Sequence, residues 1–192
     1  MPPHQTALAR TDFPHALRFE GHAIVSADGM IAVADGTVPA ALRNDIDWRQ
    51  FQAALDGSVL VVLGRLGHRN HPNPGRRRLV FTGSVEGLAA DPADANATLF
   101  NPAGATLAAA LASFGIAGGT IAVTGGTRIF EYFLPLYDRF SLAEVQELGL
   151  PGGRPCFVDR HPRAALSAAG LLPRRFELID PPAKVTLTSW QR

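Results

Sequence analysis

Apolar residues are not spread evenly along this chain but gathered into short continuous runs separated by helically spaced segments. Residues 58–63 (SVLVVL), 78–81 (RLVF), 120–124 (TIAVT) and 139–145 (RFSLAEV) are the clearest runs. Aliphatic side chains at consecutive rather than alternate positions belong to strands buried on both faces. Residues 23–26 predict an earlier strand, closed by an Asp28-Gly29 turn. Between the runs, Ile46, Phe51, Ala54 and Leu55 recur near one face of a helix over 46–55, with Asn44 or Asp45 as its N-cap. Residues 106–114 form an alanine-rich helix. Ile129, Phe130, Phe133 and Leu134 mark another over 128–134, stopped by Pro135. Residues 176–179 and 185–190 predict a terminal strand pair joined across Pro181-Pro182. Buried strands alternating with helices predict an α/β fold with a central, mostly parallel sheet, covered on both faces and closed by an antiparallel C-terminal edge. In such sheets ligands sit beyond the carboxyl ends of the strands. Ser26, Gly64, Thr82 and Gly125 stand at those ends.

With 192 residues and 46% hydrophobic content the chain can bury one sizeable core. The turn-rich stretch 83–96 and the loop-like stretch 151–162 are too short to divide it. Residues 1–18 are expected to be a loose lead-in and residues 19–192 a single domain. A formal net charge of +1 creates no global field toward nucleic acid or membrane, and neither is expected as a partner. No apolar stretch approaches the ~20 residues of a membrane span. The first residues lack the apolar centre of a signal peptide, so a cytoplasmic protein is expected. Cys156, the one cysteine, excludes an internal disulfide and reads as a small packed residue. His68 and His71 stand three apart without a third ligand, and no metal is assigned.

Three predicted strand ends carry groups suited to phosphate. Gly125-Gly126 leaves backbone N–H groups uncovered by any Cβ at a helix start, where the helix dipole also favours an anion; a bare tight turn is the other reading. Gly64-Arg65 allows close backbone approach and a bidentate guanidinium, or simply a solvated arginine. Thr82-Gly83-Ser84 offers hydroxyls to a ligand or to its own turn. The Rossmann fingerprint GxGxxG is absent. Asp45 and Asp47 flank a helix start, where acids serve caps and dipoles. Asp47 also precedes Phe51 by one helical turn, and a half-buried carboxylate there would have the raised pKa that acid–base work requires. Arg69 and Arg76-Arg77-Arg78 form a basic run suited to an anionic substrate or to solvent.

Residues 125–142 (GGTRIFEYFLPLYDRFSL) resemble, almost position for position, the C-terminal cofactor segment of dihydrofolate reductases. They are similar as well to the reductase domain at the C-terminus of the riboflavin-biosynthesis protein RibD. The resemblance covers roughly residues 20–190 and implies the single-domain, three-layer dihydrofolate reductase-like fold with NADPH as cofactor. It implies that Gly64 and Arg65 contact phosphates, and that Thr82, Gly83 and Ser84 hold the adenosine 2′-phosphate. Thr124, Gly125, Gly126, Thr127, Arg128 and Ile129 complete the implied cofactor segment. Asp47 is the implied catalytic carboxylate, with Phe51, Ser26 and Asp28 on the substrate side. Arg76, in Pro74-Gly75-Arg76, resembles the step that grips the glutamate carboxylate of folate.

The chain departs from dihydrofolate reductases in three places. Ala143 replaces a threonine, residues 151–157 (PGGRPCF) replace the Gly-Asp-Thr-Phe-Phe-Pro step, and residues 26–32 (SADGMIA) carry an Asp-Gly insertion. The last two look like the S-x-D-G-x-I-A and Gly-Gly-x-Pro-x-Phe hallmarks of the riboflavin-pathway domain. The zinc signature of RibD's deaminase domain is not found. The resemblance therefore implies an NADPH-dependent reductase of an aminopyrimidine such as 5-amino-6-(5-phosphoribosylamino)uracil. A true dihydrofolate reductase is favoured by Asp47 and Arg76 and opposed by Ala143 and 151–157. A nucleotide-binding module without catalysis is the third reading. A small molecule is the implied partner, and association as a homodimer is left open.

Overall fold

The computed structural model describes residues 8–71 and 73–192. In chain order the first half comprises β1 (Leu17–Ser26), β2 (Met30–Ala32), α1 (Asp45–Asp56), β3 (Leu60–Gly64), α2 (Arg65–Asn70) and β4 (Arg78–Phe81). A hairpin follows, β5 (Leu88–Ala90) and β6 (Ala97–Phe100), then α3 (Leu107–Ser113), β7 (Gly119–Val123) and α4 (Thr127–Phe133). The chain ends with β8 (Arg139–Val145), β9 (Arg154–Pro155), α5 (Pro162–Ala168), β10 (Leu172–Asp180) and β11 (Val185–Gln191).

Nine strands form one sheet in the order β10-β11-β8-β1-β7-β3-β4-β6-β5. From β8 to β6 every neighbouring pair is parallel, while β11 joins β8, and β10 joins β11, antiparallel. This is the predicted mostly parallel sheet with an antiparallel C-terminal edge, and it is the dihydrofolate reductase-like arrangement. Consecutive apolar residues in β3 and β7 follow from cover on both faces. Leu60, Val62, Ile121 and Val123 face α3, α4 and α5 through Leu111, Phe130, Phe133 and Leu166. Val61, Leu63 and Ala122 face Phe51 and Leu55 of α1. Ile24, Ala143 and Val145 meet Ile46 of the same helix.

Several elements went unpredicted because they are short or lie in turn-rich sequence. β5 and β6 pair antiparallel within and beyond the 83–96 stretch, giving the sheet a second antiparallel edge. β2 and β9 form a separate two-stranded ribbon from segments about 120 residues apart. α5 begins on a proline, at the end of the 151–162 stretch.

The lead-in also differs from expectation. Residues 1–7 lie outside the described residues, but 8–18 are fixed. Phe13 is buried and packs edge-on to Phe19 at 5.2 Å. Arg10 Nε donates to Asp138 at 2.8 Å, the other oxygen of that carboxylate accepts from the Phe19 N–H, and β1 is already in register by Leu17. A single arginine reaching a distant aspartate leaves no local pattern to read.

Gly21, in the middle of β1, lies where a Cβ would approach the Phe140 ring to 2.2 Å and Tyr137 to 2.9 Å. Gly21→Ala therefore forces two buried rings to shift. The variant is expected to lose about 1–3 kcal/mol, read as a lower urea midpoint at unchanged slope. An unchanged midpoint would show that the rings yield freely.

Candidate active site

The strands β7, β3 and β4 are adjacent and parallel, so their carboxyl ends lie side by side. The Gly64 N–H donates to the Gly125 carbonyl at 3.1 Å, which seats the turn into α4 against the end of β3. At the start of α4, the N–H groups of Gly126, Thr127 and Arg128 have no partner among the described residues, as the first turn of a helix leaves them. A Cβ on Gly126 would find only Ile31 Cδ1, at 3.6 Å, so the approach to these donors is open. Arg65 and Arg128 are exposed and make no ion pair or hydrogen bond among the described residues. An exposed arginine in the first turn of each helix, together with a row of free N–H donors at the head of α4, suits an anion with several oxygens.

Other implied cofactor residues are engaged within the protein. Thr82 and Ser84 share a hydroxyl bond of 2.8 Å, and the Ser84 N–H donates to Thr82 Oγ1; Gly83 between them is open. The Thr124 hydroxyl donates to the Val62 carbonyl, and Ile129 is buried behind Gly64. The Thr127 hydroxyl donates to the Pro155 carbonyl, pinning the β2–β9 ribbon across the head of α4.

On the opposite face of the sheet, Asp47, Phe51 and Leu55 follow one another at four-residue spacing. Phe51 and Leu55 pack onto β3 and β7, so Asp47 shares the sheet-facing stripe. It is not the cap: the Asn44 side chain accepts from the N–H groups of Ile46 and Asp47 at 3.0 Å each. The Asp47 carboxylate itself has no hydrogen bond or ion pair among the described residues. Burial alone pushes its pKa up from 3.8 to about 6. Asp45 is exposed at the helix start.

His22, which the sequence did not single out, belongs to the same region. It lies two residues before Ile24 on β1, and its ring stands 6.0 Å from Phe51. Its Nε2 is buried without a partner among the described residues. Burial, helped by Arg139, lowers its pKa to about 4, so the ring is neutral at physiological pH. Strand alternation from Ile24 would have placed it on the α1 face, but only the fold shows the nitrogen stranded there.

The structure gives the remaining substrate-side candidates partners within the protein. Ser26 is fully buried; its hydroxyl donates to Asp28 and accepts from the Met30 N–H. Asp28 accepts the Leu150 N–H, and the Ser26 bond holds its carboxyl below the usual range. The pair ties the start of the ribbon to the 146–153 loop; the Ser26 hydroxyl is buried in that tie, and the Asp28 carboxylate remains exposed at its rim. Arg76 is held by Asp56 at 2.6 Å, Gln52 at 2.9 Å and Asn73 at 2.8 Å. Arg77 stacks on Phe114, and Arg78 is buried against Asp94. The basic run is therefore spent on internal partners. His68 bonds Asp91 at 2.9 Å, and Cys156 is fully buried with its thiol pKa pushed up.

No protein-family model and no curated protein matches the sequence. Solved structures do match in shape. A candidate riboflavin biosynthesis protein from Shewanella sp. PV-4 superposes at TM-score 0.66 and 19% identity, covering 91% of this chain and 98% of that one. A diaminohydroxyphosphoribosylaminopyrimidine deaminase/5-amino-6-(5-phosphoribosylamino)uracil reductase from Thermotoga maritima gives 0.63 and 13%, over 92% of this chain and 56% of its own. The dihydrofolate reductase of Enterococcus faecalis, complexed with NADP(H) and RAB-propyl, gives 0.62 and 16%, over 91% and 96%. At these identities the likeness establishes the fold.

An acid whose pKa is raised on folding binds its proton more tightly when folded. Its contribution to stability therefore falls as pH rises from about 4 to about 6 and stays lost above that. For Asp47 the cost at neutral pH is on the order of 2–3 kcal/mol. Asp47→Asn is expected to melt several degrees above wild type at pH 8, with the gain disappearing toward pH 4. Identical melting at both pH values would mean that the carboxylate is hydrated.

Proposed function

We propose that the chain is an NADPH-dependent reductase of an aminopyrimidine substrate, of the kind represented by 5-amino-6-(5-phosphoribosylamino)uracil. The observation that carries this reading is the solitary half-buried carboxylate of Asp47 on the stripe that continues through Phe51 and Leu55, across the sheet from the free donors of the β3 and β7 ends. A carboxylate withdrawn from water without a partner is costly, and such perturbed groups cluster at functional sites.

The glycine-lined head of α4, open over Gly126, fits a pyrophosphate, with Arg65 and Arg128 as its cationic partners. Bound there, the nicotinamide cofactor would supply a hydride. The chain's own residues position the acceptor. Asp47 would accept hydrogen bonds from the amino and ring N–H groups of the pyrimidine, and Phe51 would offer its apolar face. With a pKa near 6, Asp47 can hold a proton for part of the cycle. His22, neutral and lacking a partner at Nε2, adds a second polar contact beside Phe51.

Two observations favour the aminopyrimidine over dihydrofolate. The 26–32 and 151–157 segments, which resemble the riboflavin-pathway domain, form one structural unit: Met30 pairs with Pro155, and the Cys156 N–H donates to the Gly29 carbonyl at 2.9 Å. The guanidinium of Arg76, the implied grip on a folate tail, is already saturated.

NADPH oxidation measured side by side with the ribosylaminopyrimidine and with dihydrofolate tests the proposal, and turnover of the pyrimidine is expected. Turnover of dihydrofolate alone would transfer the protein to the folate reading. NADPH binding without any turnover would favour a nucleotide-binding module.

Two variants separate the roles. Asp47→Asn should lose roughly 100-fold or more in kcat while NADPH affinity stays near native. Arg65→Ala should weaken NADPH about ten-fold or more with the fold intact, as the loss of a charge-assisted contact. Full activity in the first would remove Asp47 from catalysis, and unchanged affinity in the second would leave Arg65 a surface residue.

A further inference from the structure

The order of the strands leaves a bound dinucleotide one direction in which to lie. The free N–H donors stand at the ends of β7 and β3, and Asp47 lies toward β1, because its neighbour Ile46 meets Ile24 of β1 and Ala143 of β8. With the nicotinamide half toward Asp47, the adenosine half extends the other way, over the end of β4, the next strand at about 4.8 Å. The segment that follows β4, residues 82–87, has almost no backbone bonds of its own. The N–H groups of Gly83, Val85, Glu86 and Gly87 find no partner among the described residues. The Ser84 N–H turns to Thr82 Oγ1, and the two hydroxyls, 2.8 Å apart, leave one O–H free to donate. A run of unpaired N–H groups beside a free hydroxyl suits an anion.

What holds this segment comes from outside it. Phe81 and Phe100 are in register, so Thr82 and Asn101 leave neighbouring strand ends side by side. The Asn101 N–H donates to the Gly87 carbonyl at 2.7 Å, and its Nδ2 donates to the Val85 carbonyl at 2.8 Å. Asn101 is fixed in turn: its Oδ1 accepts from the Ala103 N–H at 3.1 Å, and its carbonyl accepts from Gly104 and Ala105. Gly104 presses on the same segment, where a Cβ would stand 1.6 Å from the Glu86 carbonyl oxygen. The carbonyls of 85–87 are thus committed to residues 101–104, and the N–H groups are left over.

We propose that Asn101 is a positioning residue for the cofactor: by holding the Val85 and Gly87 carbonyls it keeps the donors of 82–87 in place for the 2′-phosphate, and so sets a preference for NADPH over NADH. The inference rests on the reading of the chain as an NADPH-dependent reductase. Asn101 acts through the segment it holds and not by touching the cofactor. Without it, residues 82–87 have little to fix them, and a phosphate must order its own donors on binding, at a cost in affinity. The 2′-hydroxyl of NADH calls for no such set of donors, so the contribution of Asn101 belongs to NADPH alone.

Titration calorimetry of the full chain with NADPH and with NADH tests this. Asn101→Ala is expected to weaken NADPH about five- to ten-fold, the effect of loosening a hydrogen bond to a charged group, and to leave NADH within about two-fold of wild type. Gly104→Ala displaces the same segment without touching Asn101 and should produce the same split. Neither substitution changes a charge, so the split reports position and not electrostatics. Binding of 2′-AMP, which carries the phosphate without the nicotinamide, should weaken in parallel with NADPH, while kcat at saturating NADPH stays near wild type. Asn101→Ala gives up two side-chain hydrogen bonds of a loop and keeps the fold, as its melting will show; it decides the matter alone where the tighter contact at Gly104 admits no side chain. Equal weakening of both cofactors, or no change in either, would overturn the proposal and leave the reductase reading standing. A wild-type chain that binds neither NADPH nor 2′-AMP would overturn both.

Discussion

Gly64 donates its N–H to the Gly125 carbonyl at the point where β3 and β7 both stop. The contact leaves little room for a side chain on Gly64 and none on Gly125. A Cβ on Gly64 would come within 3.2 Å of Ile129, and one on Gly125, at φ +93°, would enter the Phe130 ring at 2.4 Å. Because the two strand ends touch through backbone, α2 and α4 begin beside each other, and Arg65 and Arg128 depart from the same place. Phe130 carries the constraint further, standing 5.5 Å from Phe140 on β8 and 6.0 Å from Phe157 beyond the β2–β9 ribbon. The phosphate side, the ribbon and the strand that carries Ala143 are thereby held in one frame.

Charge is treated in two ways in this protein, and the contrast sets the candidate site apart. Where a charge is buried for structure, it is paired. Glu144, 3% exposed, receives Arg163 on both carboxylate oxygens, and Arg78, 1% exposed, meets Asp94. Asp47 is a half-buried carboxylate and His22 a half-buried ring with its Nε2 shut off from solvent, both left without such partners among the described residues. Leaving both unpaired costs stability, in contrast to the satisfied charges of the core. Asn44 sharpens the point: by capping α1 itself and donating to Asp180 at 2.7 Å, it relieves Asp47 of any structural duty.

The arginine-rich stretch 76–78 shows how a pattern of charges misleads when read alone. In the chain it is a basic patch; in the fold each guanidinium points elsewhere. Arg76 reaches α1, Arg77 lies over Phe114, and Arg78 turns inward to Asp94. The groove beside Arg76, lined also by Trp48, Gln52 and His71, is left without a free cation of its own from that residue.

Much of the architecture was legible before any coordinates. Continuous aliphatic runs at 58–63, 78–81, 120–124 and 139–145 marked buried parallel strands, because that burial demands an apolar side chain at every position and so writes itself into local sequence. The same locality marked the strand ends and put Asp47 on the face of Phe51, since the four-residue step between them is a property of the helix alone. Contacts between distant segments left no such trace. The fixing of 8–18 by Asp138, the joining of 26–32 to 151–157, and the solitary Nε2 of His22 each require two segments to meet. So do the internal use of Ser26 and Asp28 and the saturation of Arg76. Hydrophobic periodicity is local and determines which residues become strand, helix and core; the partner of each polar group is set by which surfaces the sheet brings together, and only the tertiary structure decides that.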